Sequence, residues 1–365
     1  MNSWQVHQGD VIEVLRRLPP DSVNCVVTSP PYWGLRDYGM AGQIGLEETP
    51  ELWVAKLVDV FREVRRVLRP DGTCWVNLGD SYASDTGGGG GYFGEINRTF
   101  VDSYEPFRRG IPPGLKAKDL IGQPWRFAFA AQADGWWLRR DIIWAKPNPM
   151  PESASDRPAT AHEYVFLLSK SERYEYDAEA VKEPVKISRA AGEVVPISGW
   201  MSGPGNHSAV RHSQTREDKD AKRAFNRKRK TDPHRDQEPT SLEPQRSPLS
   251  AKRMPDSNVS PKKRAHVERR NLRSVWTIPT QPFPEAHFAT FPERLVEPCI
   301  LAGCPEGGVV LDPFAGSGTT GVVALKRHRS FIGIELNPEY HAMAQRRLAG
   351  AAPLFSSPAG LAEES

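Results

Sequence analysis

Residues 309–340 read VVLDPFAGSGTTGVVALKRHRSFIGIELNPEY, and the interpretation of this stretch decides the fold. An apolar run ends at Asp312, a glycine-rich turn follows, and a helix is predicted over 319–328. A second apolar run, 330–335, ends at Glu335. Gly316, Gly318 and Gly321 satisfy G-x-G-x-x-G, and Glu335 lies 17 residues beyond Gly318. Taken locally this is a dinucleotide-binding fingerprint, with NAD the first ligand to consider.

Chain position argues against NAD. A dinucleotide half-domain needs further strand–helix units, yet only one predicted helix (338–349) and a short polar tail follow. The flanking strands must come from the other end of the chain. Short β-like runs are present there: WQVHQ (4–8), NCVVT (24–28), TCWVNL (73–78), LRRDIIWA (138–145) and EYVFLLS (163–169). Helical periodicity covers 51–69, stopping at Pro70-Asp71-Gly72, and recurs at 124–134 and 292–302. Alternating strands and helices predict an α/β, doubly wound, mostly parallel sheet covered on both faces. Carboxylates at both strand ends suit a ligand carrying a sulfonium cation and ribose hydroxyls, whereas a pyrophosphate would add negative charge. Asp10, just past the first strand, is either a third such carboxylate or a helix N-cap.

The chain has 365 residues, room for one large α/β domain with an insertion or for two domains. Its net charge of +3 is unevenly spread. Residues 181–272 hold 21 Lys and Arg against 11 Asp and Glu, leaving −7 for the remainder. A basic insert in an acidic body points to a polyanionic partner, with a solvated linker as the alternative. Periodicity fails across 181–272, which carries the tract KRAFNRKRK at 222–230. A second irregular stretch, SDTGGGGGYFGEINRTF (84–100), follows a strand end and is either a gate over a site or only flexible. The four cysteines, Cys25, Cys74, Cys299 and Cys304, form no C-x-x-C pair, so no disulfide framework or metal site is implied. The opening MNSWQVHQGD has no basic-then-apolar leader and no apolar run approaches 18 residues. The expectation is a cytoplasmic protein with no membrane contact.

A third stretch, TSPPYWG (28–34), sets a hydroxyl, two prolines and two aromatics directly after a buried run. DPFAGSGTT with GIELNPEY, preceded far upstream by TSPPYWG, resembles the permuted (β-class) DNA amino-methyltransferases. FPERLVEP (291–298), IIWAKPNPMPES and RPATAHEYVFLLSKS add to the resemblance, which covers roughly 1–180 and 273–348. It implies a circularly permuted seven-stranded methyltransferase sheet with an inserted target-recognition region. The implied division is 1–180 with the S-P-P-Y motif, a basic insert 181–272, 273–350 with the cofactor motif, and a tail 351–365. The implied cofactor is S-adenosyl-L-methionine and the implied substrate double-stranded DNA, in a bacterial or phage-encoded restriction setting. A cognate restriction endonuclease would be the partner, and the protein a monomer or homodimer.

The same resemblance implies roles for particular residues. An exocyclic amine is a poor nucleophile because its lone pair is delocalised into the ring. Acceptors on its N–H groups return that lone pair, and Ser29 Oγ and the Pro30 carbonyl are suited to supply them. Pro31 stiffens the turn, and Tyr32 offers a face for an extruded base. Trp33 either widens that wall or belongs to the core. Serine at the first motif position goes with cytosine N4 and aspartate with adenine N6, so cytosine is favoured and adenine is the alternative. For the cofactor, Gly316, Ser317 and Gly318 allow close backbone approach, while Thr319, Thr320 and the helix start face the methionyl carboxylate. Asp312 is assigned the amino group and Glu335 the ribose. Phe291 and Phe314 pack on the adenine or in the core, and Asn337 contacts the cofactor or only caps the last helix. Lys222, Arg223, Arg227, Lys228, Arg229 and Lys230 are the DNA-phosphate contacts expected of the insert. Pro298-Cys299 raises C5-cytosine chemistry, but the pair falls in a predicted helix and reads as core. An RNA or protein amide methyltransferase and an inactive DNA-binding protein are the remaining rivals.

Overall fold

A computed structural model describes residues 3–35, 37, 39–83, 111–184, 187–190, 193–196, 269–281 and 291–351. The glycine-rich stretch 84–100 and the six cationic residues between 222 and 230 lie outside these residues. The chain divides into two units, residues 1–183 with 271–365 and residues 184–270. In the second unit the described residues include an antiparallel hairpin pairing Ile187–Ala190 with Glu193–Pro196.

The first unit is built on one eight-stranded sheet. Its strands are β1 (Trp4–Gln8), β2 (Val23–Thr28), β3 (Leu68–Leu78), β4 (Trp137–Ala145), β5 (His162–Ser169), β6 (Val275–Thr277), β7 (Val309–Asp312) and β8 (Ser330–Glu335). Their spatial order is β1-β8-β7-β2-β3-β5-β4-β6. All neighbours are parallel except β5, which runs antiparallel to both β3 and β4. The last two strands of the chain therefore lie between the first two. Consequently Gln8, Thr28, Asp312 and Glu335 all end at one edge of the sheet.

Helices α1 (Val11–Arg17), α2 (Pro50–Val67) and α3 (Gln123–Ala133) cover one face. Helices α4 (Glu293–Gly303), α5 (Thr319–Lys326) and α6 (Pro338–Ala351) cover the other. The alternation of a strand feeds both cores: Val26, Cys74 and Val76 face the first, and Cys25, Val27 and Trp75 face the second. Helix α2 starts as its sequence dictates. Thr49 Oγ1 accepts the Leu52 N–H at 3.3 Å, Pro50 occupies the first turn, and Arg65 and Arg66 sit in the last.

Two boundaries differ from the periodicity. Helix α2 ends at Val67, and Pro70-Asp71-Gly72, expected as its stop, falls inside β3. Leu68 is fully buried and already pairs with Val23, and the register then jumps so that Cys25 faces Thr73. Burial of Leu68 draws the chain into the sheet before the turn residues are reached. The sheet also carries one strand more than the seven expected. The short β6 adds to the β4 edge, with Trp276 buried and paired in register with Trp144. Three residues are too few for an alternating pattern to register in the sequence.

Gly321 has the packing role expected of the third glycine in the fingerprint. A Cβ built there would lie 2.5 Å from Phe331 Cδ1 of β8 and 2.6 Å from Leu348 Cδ2 of α6. Gly321→Ala is expected to cost about 1–3 kcal/mol through overpacking, measured as a lower urea midpoint at unchanged slope.

Candidate active site

The strand ends meet around one buried carboxylate. Asp312 Oδ1 accepts the Thr28 hydroxyl at 2.7 Å and the Phe314 N–H at 3.1 Å, and Oδ2 accepts the Thr320 hydroxyl at 2.7 Å. Thr28 ends β2, Asp312 ends β7 and Thr320 opens α5, so these three bonds tie adjacent strands and a helix together. Ser29 follows Thr28 directly. The S-P-P-Y turn and the glycine turn thus leave neighbouring parallel strands at the same edge. Asp312 is only 1% exposed, with both oxygens engaged inside the fold, and burial pushes its carboxyl up to about 6.

The glycine turn is held from two sides. Gly316 N–H donates to Glu335 Oε2 and Asn337 N–H to Glu335 Oε1, each at 2.8 Å. Burial raises the Glu335 carboxyl, against the lowering effect of these amides. Gly318 has φ +79°, and a Cβ on it would approach Ala344 Cβ to 3.1 Å. Over Gly316, by contrast, the nearest described atom to such a Cβ is the Phe314 carbonyl at 4.0 Å. Arg347 of α6 donates to the Ser317 carbonyl at 2.6 Å, to Ser317 Oγ at 2.8 Å and to Thr319 Oγ1 at 3.2 Å. The hydroxyls of Ser317, Thr319 and Thr320 are therefore all used within the protein. Asn337 Oδ1 accepts the Glu339 N–H at 2.8 Å and caps α6, and Asp10 Oδ1 caps α1 at 2.9 and 3.0 Å. Phe314 packs against the first core and Phe291 against the second.

In the S-P-P-Y turn, Pro30 is buried and Ser29 half-buried. The Pro31 carbonyl accepts the Trp53 indole N–H at 2.9 Å. No donor among the described residues reaches the Pro30 carbonyl. Trp33 is 5% exposed, with its indole N–H on the Glu47 carbonyl at 2.8 Å and its backbone N–H on Gln123 Oε1 at 2.9 Å. It belongs to the core. The Tyr32 hydroxyl donates to Glu163 Oε2 at 2.9 Å and accepts from Asn77 Nδ2 at 3.0 Å. Ser29 Oγ is 3.4 Å from the same hydroxyl, and Lys146 Nζ pairs with Glu163 Oε1. Burial, then the neighbouring Glu163 charge, pushes the Tyr32 phenol well up.

Glu163, Asn77, Lys146 and Arg347 carry no role in the sequence reading. Glu163 and Lys146 do lie in stretches that carry the family resemblance. What hid them is strand direction. Because β5 is antiparallel, its first residues reach the same edge as the last residues of β3 and β4, with Glu163 opposite Trp144. Cys299 lies in α4, 1% exposed with its Sγ 3.4 Å from the Leu295 carbonyl, and burial raises its thiol, as suits a core residue. Among the described residues no cluster of His, Cys, Asp or Glu is placed to hold a metal, and no helix is long and apolar enough to cross a membrane.

A carboxyl that titrates near 3.8 when unfolded and about 6 when folded keeps its proton longer in the folded state. Stability therefore falls as pH rises between those values, by roughly 3 kcal/mol for this group at about 1.4 kcal/mol per pKa unit. Denaturant titrations between about pH 4 and about pH 7 should show the wild type losing stability relative to Asp312→Asn by that order.

Comparison with known proteins shows the family. The DNA methylase family model (N6_N4_Mtase) matches residues 23–346. Type II methyltransferase M.Cfr9I of Citrobacter freundii is 43% identical over 96% of this chain and 89% of its own length. M.SmaI of Serratia marcescens is 41% identical over 95% and 91%. Among solved structures, the PvuII DNA methyltransferase, titled cytosine-N4-specific, superposes with a TM-score of 0.54 at 19% identity, covering 95% of this chain and 86% of its own. TTHA0409 of Thermus thermophilus, solved with S-adenosyl-L-methionine, gives 0.53 at 22% identity over 98% and 99%. The chain belongs to the N6/N4 DNA methylase family and is a DNA methyltransferase of the type II restriction-modification kind.

Proposed function

We propose that the protein transfers a methyl group from S-adenosyl-L-methionine to the exocyclic N4 amine of a cytosine extruded from duplex DNA. The observation that carries this reading is the Thr28–Asp312–Thr320 link, because it sets the S-P-P-Y turn beside the glycine turn. The residues around the glycine turn fit the cofactor. The space over Gly316, clear of other described residues, is flanked by the Glu335 carboxylate, which keeps lone pairs for ribose hydroxyls after binding two amides. Two carboxylates near the turn favour a cationic ligand. When bound, S-adenosyl-L-methionine supplies an electrophilic methyl on a sulfonium.

The chain's own groups prepare the amine. Ser29 Oγ and the Pro30 carbonyl, which no described donor reaches, accept its two N–H groups and restore its lone pair. Trp53, through the Pro31 carbonyl, keeps the turn rigid. Tyr32, anchored by its hydroxyl, stacks on the base. Serine rather than aspartate at position 29 favours cytosine. The PvuII neighbour, named for that specificity, supports the same choice. Adenine N6 is the second reading, since both amines meet the motif in one geometry. We read the order of the two turns along the chain as the permuted one. Residues 181–272 are assigned to target recognition, with Lys222, Arg223, Arg227, Lys228, Arg229 and Lys230 on DNA phosphates. The partner implied is an endonuclease of matching sequence specificity.

Methyl-labelled cofactor mixed with the protein and duplex DNA, followed by nucleoside analysis, tests the reading. Label is expected in N4-methylcytosine. Label in N6-methyladenine would move the assignment, and no label would reject it. Ser29→Ala should lower the single-turnover rate by on the order of 100-fold while leaving cofactor affinity within about 3-fold.

A further inference from the structure

A serine at the head of the motif poses a problem that an aspartate would not. A carboxylate only accepts, whereas a hydroxyl also carries a rotatable hydrogen, which competes for the amine unless it is bonded elsewhere. The residues behind Ser29 commit it. The Tyr32 hydroxyl has one hydrogen and two lone pairs. Its hydrogen goes to Glu163 Oε2 at 2.9 Å, a carboxylate held on its other oxygen by Lys146. One lone pair takes Asn77 Nδ2 at 3.0 Å, and the same Nδ2 lies 2.8 Å from Glu163 Oε2, which fixes it as the donor end of that amide. The remaining lone pair is approached both by the Gly79 backbone amide and by Ser29 Oγ, the latter at 3.4 Å. That distance is long, in the manner of hydrogen bonds that tighten when substrate binds.

We propose that Glu163, with Asn77 and Lys146, is a positioning group that sets the direction of this chain, so that Ser29 gives its hydrogen to Tyr32 and turns its lone pairs to the substrate amine. Glu163 acts through Tyr32. The inference deepens the amine-methylation reading above and rests on it. Burial keeps Tyr32 protonated, so its hydroxyl stays a donor to Glu163 across the working pH range. Glutamine at 163 could instead donate to the Tyr32 oxygen and reverse the chain, leaving Ser29 free to point its hydrogen at the amine.

The test is a set of single-turnover methyl-transfer measurements on the full chain. The variants are Glu163→Gln, Tyr32→Phe, the two combined, and Ser29→Asp with and without Glu163→Gln. Each of the first two should lower the methyl-transfer rate by on the order of 10–100-fold, with KM for DNA and cofactor within about 3-fold. Their combination should be no slower than the worse single variant, because both break one chain. In the Ser29→Asp background, where a carboxylate needs no orientation, Glu163→Gln should change the rate by less than about 3-fold. Multiplied losses in the Glu163 and Tyr32 pair, an equal loss in the Ser29→Asp background, or a change confined to KM would overturn the proposal. If Glu163→Gln does not fold, judged by thermal unfolding and cofactor binding, Tyr32→Phe in the wild-type and Ser29→Asp backgrounds makes the same comparison. If Ser29→Asp is inactive, the Glu163 and Tyr32 cycle decides alone. Wild-type protein that methylates no DNA would sink the amine-methylation reading itself, which the variants do not touch.

Discussion

A single buried carboxylate organises this molecule. Asp312 takes two threonine hydroxyls and one backbone amide into a site from which water is almost excluded. Its desolvation is expensive, and the upward pull on its titration records that cost. What the cost secures is registry between segments remote in sequence. Thr28 and Asp312 are separated by 284 residues, yet their side chains bond at 2.7 Å. Two turns that would otherwise be independent loops are set side by side at one end of the sheet.

Each turn is then stiffened by the helices on its own face of the sheet. The S-P-P-Y turn rests on Trp53 of α2 and Gln123 of α3, which take a carbonyl and an amide that prolines and tight geometry leave without strand partners. The glycine turn is gripped by Glu335 at the end of β8 and by Arg347 of α6. Methyl transfer demands in-line geometry, and groups held on rigid elements meet it better than groups on free loops. The hydroxyls of Ser317, Thr319 and Thr320 serve this scaffold by bonding within the protein.

Much of this was legible in the residues. The strands 4–8 and 330–335 fall where their apolar runs predicted, because polar or turn residues bound each run sharply. The glycine fingerprint was clear as a turn and ambiguous as to ligand: chain position argued against NAD, and the family resemblance supplied the cofactor. Strand direction was not legible. An apolar run looks the same parallel or antiparallel, so Glu163 at the start of β5 could not be set beside Tyr32. Nor could sequence separate the two readings of Trp33, since an aromatic after a turn suits a wall or a core equally. The early start of β3 was hidden because Leu68 burial, a tertiary effect, overrides the local signal of Pro70 and Gly72.

A shared role in one methyl transfer requires the hydroxyl turn and the glycine turn, which leave neighbouring strands at one end of the sheet, to meet the cofactor from adjacent sides. A crystal structure with a non-transferable cofactor analogue, an amine-bearing carbon in place of the methyl sulfonium, measures this directly. The analogue is expected over Gly316 with its ribose on Glu335 and its amine directed at Ser29 Oγ and the Pro30 carbonyl. An analogue bound elsewhere, or bound at the glycine turn with its amine directed away from Ser29, would contradict it.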